Sequence, residues 1–305
     1  MEISPDYRCG YVAIIGRPNV GKSTLLNKAL RQKVASVSPR PQTTRRNQLG
    51  ILTEETYQAI FMDTPGIHQP VHKLGEFMNQ AARDALQDAD VILWIVDASQ
   101  PPHEEDRLVA EFTAAAGTQA PVVLALNKAD LSTPTRLEER QREYSALLPC
   151  QAAYIVSAQS GQGVNALMAD LTNRLPPGPP MYDLDQITDL YEKEIAADFI
   201  REAAMLELTD ELPHAIGIRV DEYHDIGETK AEIFATLFVE RESQKPIVIG
   251  KGAAVIKKIG EKARREIETL TGRKVFLELR VKVMKNWRND PGALRQFGYQ
   301  RSGED

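Results

Sequence analysis

The stretch Gly16-Arg17-Pro18-Asn19-Val20-Gly21-Lys22-Ser23 has the spacing GxxxxGK[ST], and its flanks decide how it is read. Ahead of it, Tyr11-Val12-Ala13-Ile14-Ile15 is a branched apolar run with the look of a buried strand; behind it, Leu25, Leu26 and Leu30 recur at helical spacing. Strand, glycine loop and helix in that order make a phosphate cradle. Glycines let the backbone curl until successive N–H groups face phosphate oxygens, and the helix opening near Lys22 adds the positive end of its dipole. Lys22 would then reach the β and γ phosphates and the Ser23 hydroxyl would ligate Mg²⁺, with Gly16, Asn19, Val20, Gly21 and Thr24 completing the cradle.

At 305 residues the chain exceeds the size at which one core keeps growing, so two domains are expected. A 42% hydrophobic and 26% charged composition supplies real cores and excludes wholesale disorder. The longest apolar runs, 91–96 and 121–126, are too short to span a bilayer. Residues 1–10 lack the basic-then-apolar pattern of a signal peptide. Cys9 and Cys150 form neither a metal spacing nor a disulfide framework, which fits a reducing cytosol. The net charge of −6 is unevenly distributed. Between Lys245 and Arg288 thirteen basic residues face four acidic ones, a surplus of nine, so an acidic body carries one basic face.

Beyond the first helix, Ser36 to Arg45 is polar and proline-broken, and reads as a mobile loop. A hydroxyl from it, Thr44 or else Thr43, can complete an Mg²⁺ shell while the γ phosphate is present, which makes the loop a switch. The expected strand 57–62 delivers Asp63-Thr64-Pro65-Gly66: Asp63 to hold Mg²⁺ through water, the Gly66 N–H to bond the γ phosphate. An apolar helical stripe follows over Leu74 to Leu86, and then strand 91–96, which ends at Asp97 and reads as pure core. Strand 121–126 ends at Asn127-Lys128-Ala129-Asp130, and 154–156 at Ser157-Ala158. These two endings select a base. An ionised Asp130 only accepts hydrogen bonds, so it matches the N1–H and N2–H₂ donors of guanine and not adenine. The Lys128 stem can lie over the ring, Asn127 can brace the loop and the Ala158 N–H can meet O6.

Together GRPNVGKS, PQTTR, DTPG, NKAD and SA resemble, in this order, the translation-factor-related GTPases, in the branch carrying a C-terminal KH domain. The resemblance covers nearly the whole chain. It implies GTP and GDP as ligands with Mg²⁺ held by Ser23, Thr44 and Asp63, hydrolysis involving Lys22, Thr44, Gly66 and Asn19, and a guanine pocket of Asn127, Lys128, Asp130, Ser157 and Ala158. Ile67 departs from Ras-like GTPases, which place a water-orienting glutamine after this glycine. In some relatives the asparagine matching Asn19 helps to hold a K⁺ ion in place of an arginine finger, and Asn19 is the candidate here.

Leu175-Pro176-Pro177-Gly178-Pro179-Pro180 is stiff and extended, and sets the expected boundary: a G domain over 1–176, with a mixed, mostly parallel sheet between helices, then a linker and α+β domain over 177–305. The latter reads α-β-β-α-α-β: a helix over 189–208 with Leu190, Ile195, Phe199, Ala203 and Leu206 broadly on one side, strands over 215–223 and 231–239, the loop Gly250-Lys251-Gly252-Ala253, a helix to about Leu270 and a strand over 275–283. This order resembles a type II KH domain, whose GXXG loop clamps single-stranded nucleic acid. Alanine at the fourth loop position is a departure. Ile249, Val255, Ile256 and Ile259 would floor the site, with Gly250, Gly252 and Ala253 at the backbone and Lys251, Lys257 and Lys258 on phosphates. Trp287 can stack on a base, though a tryptophan so placed more often packs as core, and the tail from Gly292 is expected to be loosely held. The resemblance implies a monomer that binds the 3′ end of small-subunit ribosomal RNA and acts on the small ribosomal subunit in the cytoplasm. A basic face also suits anionic lipid, so peripheral contact at the inner face of the cell membrane stays open.

Overall fold

Strands that are apolar on both faces must be covered on both faces, and the two halves of each strand's alternation go to different cores. In a computed structural model, which describes residues 6–38, 40 and 43–299, the first unit is built on that rule. Its strands β1 (Arg8–Ile15), β2 (Gln48–Thr53), β3 (Tyr57–Asp63), β4 (Val91–Asp97), β5 (Val122–Asn127) and β6 (Ala152–Ile155) form one sheet in the order β2-β3-β1-β4-β5-β6. All neighbours are parallel except β2 and β3. Val91, Leu93 and Ile95 pack with Leu25 and Leu26 of α1 (Lys22–Leu30) on one side. Ile92, Trp94 and Val96 face the other, with Ala82 and Leu86 of α2 (Lys73–Asp88), Val109 of α3 (Glu104–Ala115) and Leu137 of α4 (Pro134–Ser145). Leu167 and Leu171 of α5 (Val164–Arg174) return to the first side. Because β1, β3, β5 and β6 run parallel, the loops after them gather at one edge, where open α/β sheets bind ligands.

The chain as far as Asp189, which includes the start of the expected linker, groups with this unit. The prolines do not hang as a free hinge. Cys9 N–H donates to Pro176 O (3.0 Å) and Gly178 N–H to Tyr7 O (2.9 Å). Gln58, fully buried, then accepts from Met181 N–H (2.8 Å) and Tyr182 N–H (3.0 Å) and donates to Tyr182 O (2.9 Å).

The second unit comprises Ser36–Thr43, Pro70–Phe77 and the chain from Leu190. Its elements are α6 (Glu192–Glu207), α7 (Leu212–Ala215), β7 (Gly217–Ile226), β8 (Lys230–Val239), α8 (Lys245–Ile249), α9 (Ala254–Thr271), β9 (Lys274–Val283) and α10 (Pro291–Gln296). The sheet runs β7-β8-β9, with β8 antiparallel to β7 and parallel to β9. Ile195, Phe199 and Ala203 of α6 and Ile259, Ala263 and Ile267 of α9 cover the face formed by Ile233, Ala235, Leu237 and Val239. Leu206, one residue from the end of α6, is exposed. Trp287 is core, its indole N–H donating to Ala215 O at 2.9 Å. The tail is more ordered than expected. Asp290 caps α10 by accepting from Gly292 and Ala293 N–H, and Phe297 stacks edge-on against Trp287 and Phe238. Residues 300–305, like 39, 41 and 42 of the switch loop, lie outside the described residues.

Replacing Gln58 by Leu should leave the part-buried Met181 and Tyr182 amides without their acceptor. We expect a loss of about 1–3 kcal/mol in urea unfolding, with proteolysis appearing first between 177 and 189.

Candidate functional site: a phosphate cradle and a KH groove

The loop after β1 needs its glycine at 21. There φ is +103°, and a Cβ would stand 2.3 Å from Asn127 Nδ2. Asn19 also takes a left-handed φ of 64°, a conformation asparagine tolerates, and is exposed at the loop tip. Val20 is buried beneath it, and Thr24 lies half-buried in the first turn of α1. Lys22 is buried, its ammonium donating to Gly16 O (3.0 Å) and Arg17 O (3.1 Å). Burial pushes this amine down to about 8, against the pull of nearby Asp63.

Three oxygens from separate segments meet beside it. Ser23 Oγ donates to Asp63 Oδ2 at 2.7 Å, Thr44 Oγ1 to the same oxygen at 3.1 Å, and the two hydroxyls lie 3.2 Å apart. Thr43 turns away and bonds Arg40 O (3.0 Å), so Thr44 is the threonine that joins the cluster. Asp63 is fully buried; its Oδ1 has no hydrogen-bond partner, and burial pushes its carboxyl up, with Lys22, Ser23 and Thr44 offsetting only part. An all-oxygen donor set with one orphaned carboxylate oxygen suits a hard divalent cation such as Mg²⁺. Gly66 backs onto Pro18 of the cradle. Ile67 is buried among Ala82, Leu86 and Trp94.

The base end is braced by Asn127, whose Nδ2 donates to Val20 O (2.7 Å) and whose Oδ1 accepts from Ala158 N–H (2.8 Å). That last bond uses the N–H expected to meet the base's O6. Ser157 is buried behind it, and Asp130 presents an exposed carboxylate from the turn at Ala129–Leu131. Lys128, at φ 62°, donates to Asp97 Oδ2 at 2.7 Å. Asp97, read from the sequence as the end of a core strand, is therefore part of the site. An aspartate closing an all-apolar strand was the one sequence feature that marked the position, and it did not reveal the partner.

In the second unit, Gly250 has φ 73°, and a Cβ there would meet Val255 N at 2.9 Å, so the loop's first glycine is obligatory. Gly252 and Ala253 follow at φ 61° and 63°. The fourth position is thus left-handed, which explains the glycine of the usual motif and shows what alanine costs. Lys251, Lys257 and Lys258 are exposed, and Ile249, Val255 and Ile256 are half-buried. Ile259 is fully buried in the core and cannot floor a site. The groove beside the loop, about 450 Å³, runs between α9 and the edge strand β9, with Ile256, Gly260 and Arg264 on one wall and Phe276, Leu277 and Leu279 on the other. The β9 wall and Arg264 were missed from sequence; the i, i+4 run from Ile256 through Gly260 to Arg264 was the clue. The basic surplus also shrinks on inspection. Lys262 pairs with Glu207, Arg273 with Glu192 and Asp225, and Arg288 with Glu240.

A glycine-looped phosphate cradle, an oxygen cluster at the end of β3 and an Asn-Lys-Ala-Asp turn define a guanine-nucleotide-binding P-loop domain, and the second unit is a KH fold. Residues 11–128 match the family described as 50S ribosome-binding GTPase, and 211–288 match the KH domain. The structure is similar to Era in complex with MgGDPNP and nucleotides 1506–1542 of 16S ribosomal RNA, at 37% identity and TM-score 0.91 over 97% of this chain and all of that one. A single-residue variant of Aquifex aeolicus Era bound to GDP and AlF₄⁻ gives the same identity and TM-score over 96% of this chain and all of its own. The chain belongs to the Era family of GTPases.

Two outcomes follow from the backbone and the buried amine. Ala253→Gly should raise stability by about 1 kcal/mol, read as a higher urea midpoint, because glycine relieves the left-handed strain at a small cost in unfolded-chain entropy. The unfolded chain keeps the Lys22 proton to pH 10.5, whereas the folded chain releases it at about 8. Its penalty is complete below pH 8 and relieved as pH rises to 10.5. Over that window the wild type should gain about 3 kcal/mol relative to Lys22→Met in paired urea titrations.

Proposed function

We propose that the chain is a GTP-hydrolysing switch that binds the 3′ end of small-subunit ribosomal RNA and acts in small-subunit assembly and rRNA maturation. The observation that carries the reading is the meeting of Ser23, Thr44 and Asp63 beside Lys22, since a switch loop contributes one of its three oxygens. Lys22 exchanges its two carbonyl partners for β and γ phosphate oxygens, and the Gly66 N–H meets the γ phosphate. Ser23 and Thr44 supply oxygens and Asp63 holds the ion through water. A Mg²⁺ ion held by these residues would supply positive charge against that developing on the phosphates. Asp130 takes the guanine donors, and Lys128 lies over the ring.

Ile67, buried, cannot orient the attacking water. Asn19, exposed at the loop tip, is the residue we assign to a K⁺ ion that would stabilise the transition state. The RNA lies along the α9–β9 groove with its backbone on the Gly250–Ala253 loop, bases against Ile256, Phe276 and Leu279, and phosphates on Lys251, Lys257 and Lys258. Coupling between the two activities is supported by the grouping of Ser36–Thr43 with the KH unit and by Arg201 Nε donating to Thr43 O at 3.1 Å. No helix among the described residues is long and apolar enough to cross a membrane. In this reading the protein works as a cytoplasmic monomer, and the same basic face serves for peripheral contact with anionic lipid.

The burial of Ile67 also favours a second reading, an RNA-binding scaffold that holds guanine nucleotide with negligible turnover. Multiple-turnover phosphate release with the rRNA 3′ segment separates the two. The switch reading expects release above background, faster in KCl than in NaCl; no turnover in either salt leaves the scaffold, and equal rates remove the assignment of Asn19. RNA affinity measured with a GTP analogue and with GDP should differ by tenfold or more, and Arg201→Ala should shrink that ratio; identical affinities would mean the nucleotide state is not transmitted.

A further inference from the structure

Asp97 sits where two cationic side chains, those of Lys128 and Arg17, converge. Its Oδ2 accepts from Lys128 Nζ at 2.7 Å and lies 3.9 Å from Arg17 Nη2; its Oδ1 accepts from Ser99 Oγ (2.6 Å) and Ser99 N–H (3.1 Å). Arg17, the second residue of the phosphate cradle, is held through Nε by Asp106 Oδ2 at 3.1 Å. Asp106 is itself buried, accepting from His103 N–H (2.9 Å) and the Tyr144 hydroxyl (3.3 Å). A lysine side chain left to itself is a flexible four-carbon stem that loses much rotamer freedom on ordering. Here one end is fixed by a left-handed backbone at φ 62° and the other by a carboxylate that is almost completely buried.

We infer that Asp97 is a positioning residue of the guanine pocket: it anchors the Lys128 ammonium so that the alkyl stem forms a fixed shelf under the purine, and it ties that shelf to the phosphate cradle through Arg17. The inference rests on the reading of Asn127 to Asp130 as the guanine site. Although burial works against the charge, the hydrogen bonds from Lys128 and Ser99 hold the Asp97 carboxyl below the usual carboxylate range, so the anchor is ionised at neutral pH. A preformed shelf removes an ordering cost from binding and so acts mainly on dissociation. It supports any purine face and does not read the 2-amino group, which Asp130 reads.

The test uses the full chain and the dissociation rates of GDP and of inosine diphosphate, which lacks the 2-amino group. D97N should release both nucleotides at least tenfold faster, with the ratio between them as in the wild type, and D97N/K128A should release no faster than K128A alone. Wild-type rates in D97N would overturn the inference, as would additive losses in the double variant. A collapsed GDP-to-IDP ratio would show that Asp97 only holds the loop carrying Asp130, and would overturn it too. A wild type that binds neither nucleotide would instead remove the guanine reading itself.

Discussion

One side-chain amide, that of Asn127, joins three segments that are far apart in sequence. It lies at the end of β5, 2% exposed, with its nitrogen on the carbonyl of Val20 in the first loop and its oxygen on the amide of Ala158 after β6. Buried polar groups of this kind cost stability unless both ends are satisfied, and here both are. The loop after β1, the turn after β5 and the loop after β6 are therefore held in one geometry. Gly21 belongs to the same constraint, since any side chain there would occupy the space of the Asn127 amide nitrogen.

The oxygen cluster below this clamp has the opposite character. Ser23, Thr44 and Asp63 bond to one another while Asp63 Oδ1 stays unpaired in a buried setting. Burial pushes the Lys22 amine down and the Asp63 carboxyl up, and their mutual attraction offsets only part of each shift. A divalent cation beside Asp63 and a polyphosphate beside Lys22, as proposed above, would offset both shifts together. Rigid support on one side and unrelieved charge on the other are what a nucleotide-dependent switch requires.

Much of this was legible in the chain because parallel strands announce themselves as short apolar runs ending in polar residues. Strands β1, β3, β4, β5 and β9 could be placed to within a few residues, and the motif residues at their ends come together in space. The edge strand β2 was not legible: Gln48-Leu49-Gly50-Ile51-Leu52-Thr53 is mixed in character and sits next to the proline-broken loop. Helix α4 is strongly polar, with Leu137 and Tyr144 its buried residues, which left little apolar pattern to read. The role of Asp97 was hidden because it depends on a partner, Lys128, thirty-one positions away. Net charge misled in part for a similar reason, as Glu192, Glu207, Asp225 and Glu240 neutralise arginines and a lysine that sequence counting assigns to the RNA face. Ile259 was misplaced because the apolar floor inferred with the KH resemblance did not say which side of α9 met the sheet.

The path of the chain after the prolines has an implication for β2. That strand is at the margin of the sheet, and its outward amides are already engaged: Leu49 N–H with Asp189 Oδ1 at 3.0 Å and Ile51 N–H with Ile187 O at 2.9 Å. An uncovered margin of this kind is a template for pairing with a second molecule. The thirteen-residue connector over 177–189 thus acts as a selvedge, and a nucleotide-binding fragment cut at Pro176 would lose it and self-associate, whereas one that ends after Asp189 keeps a finished hem.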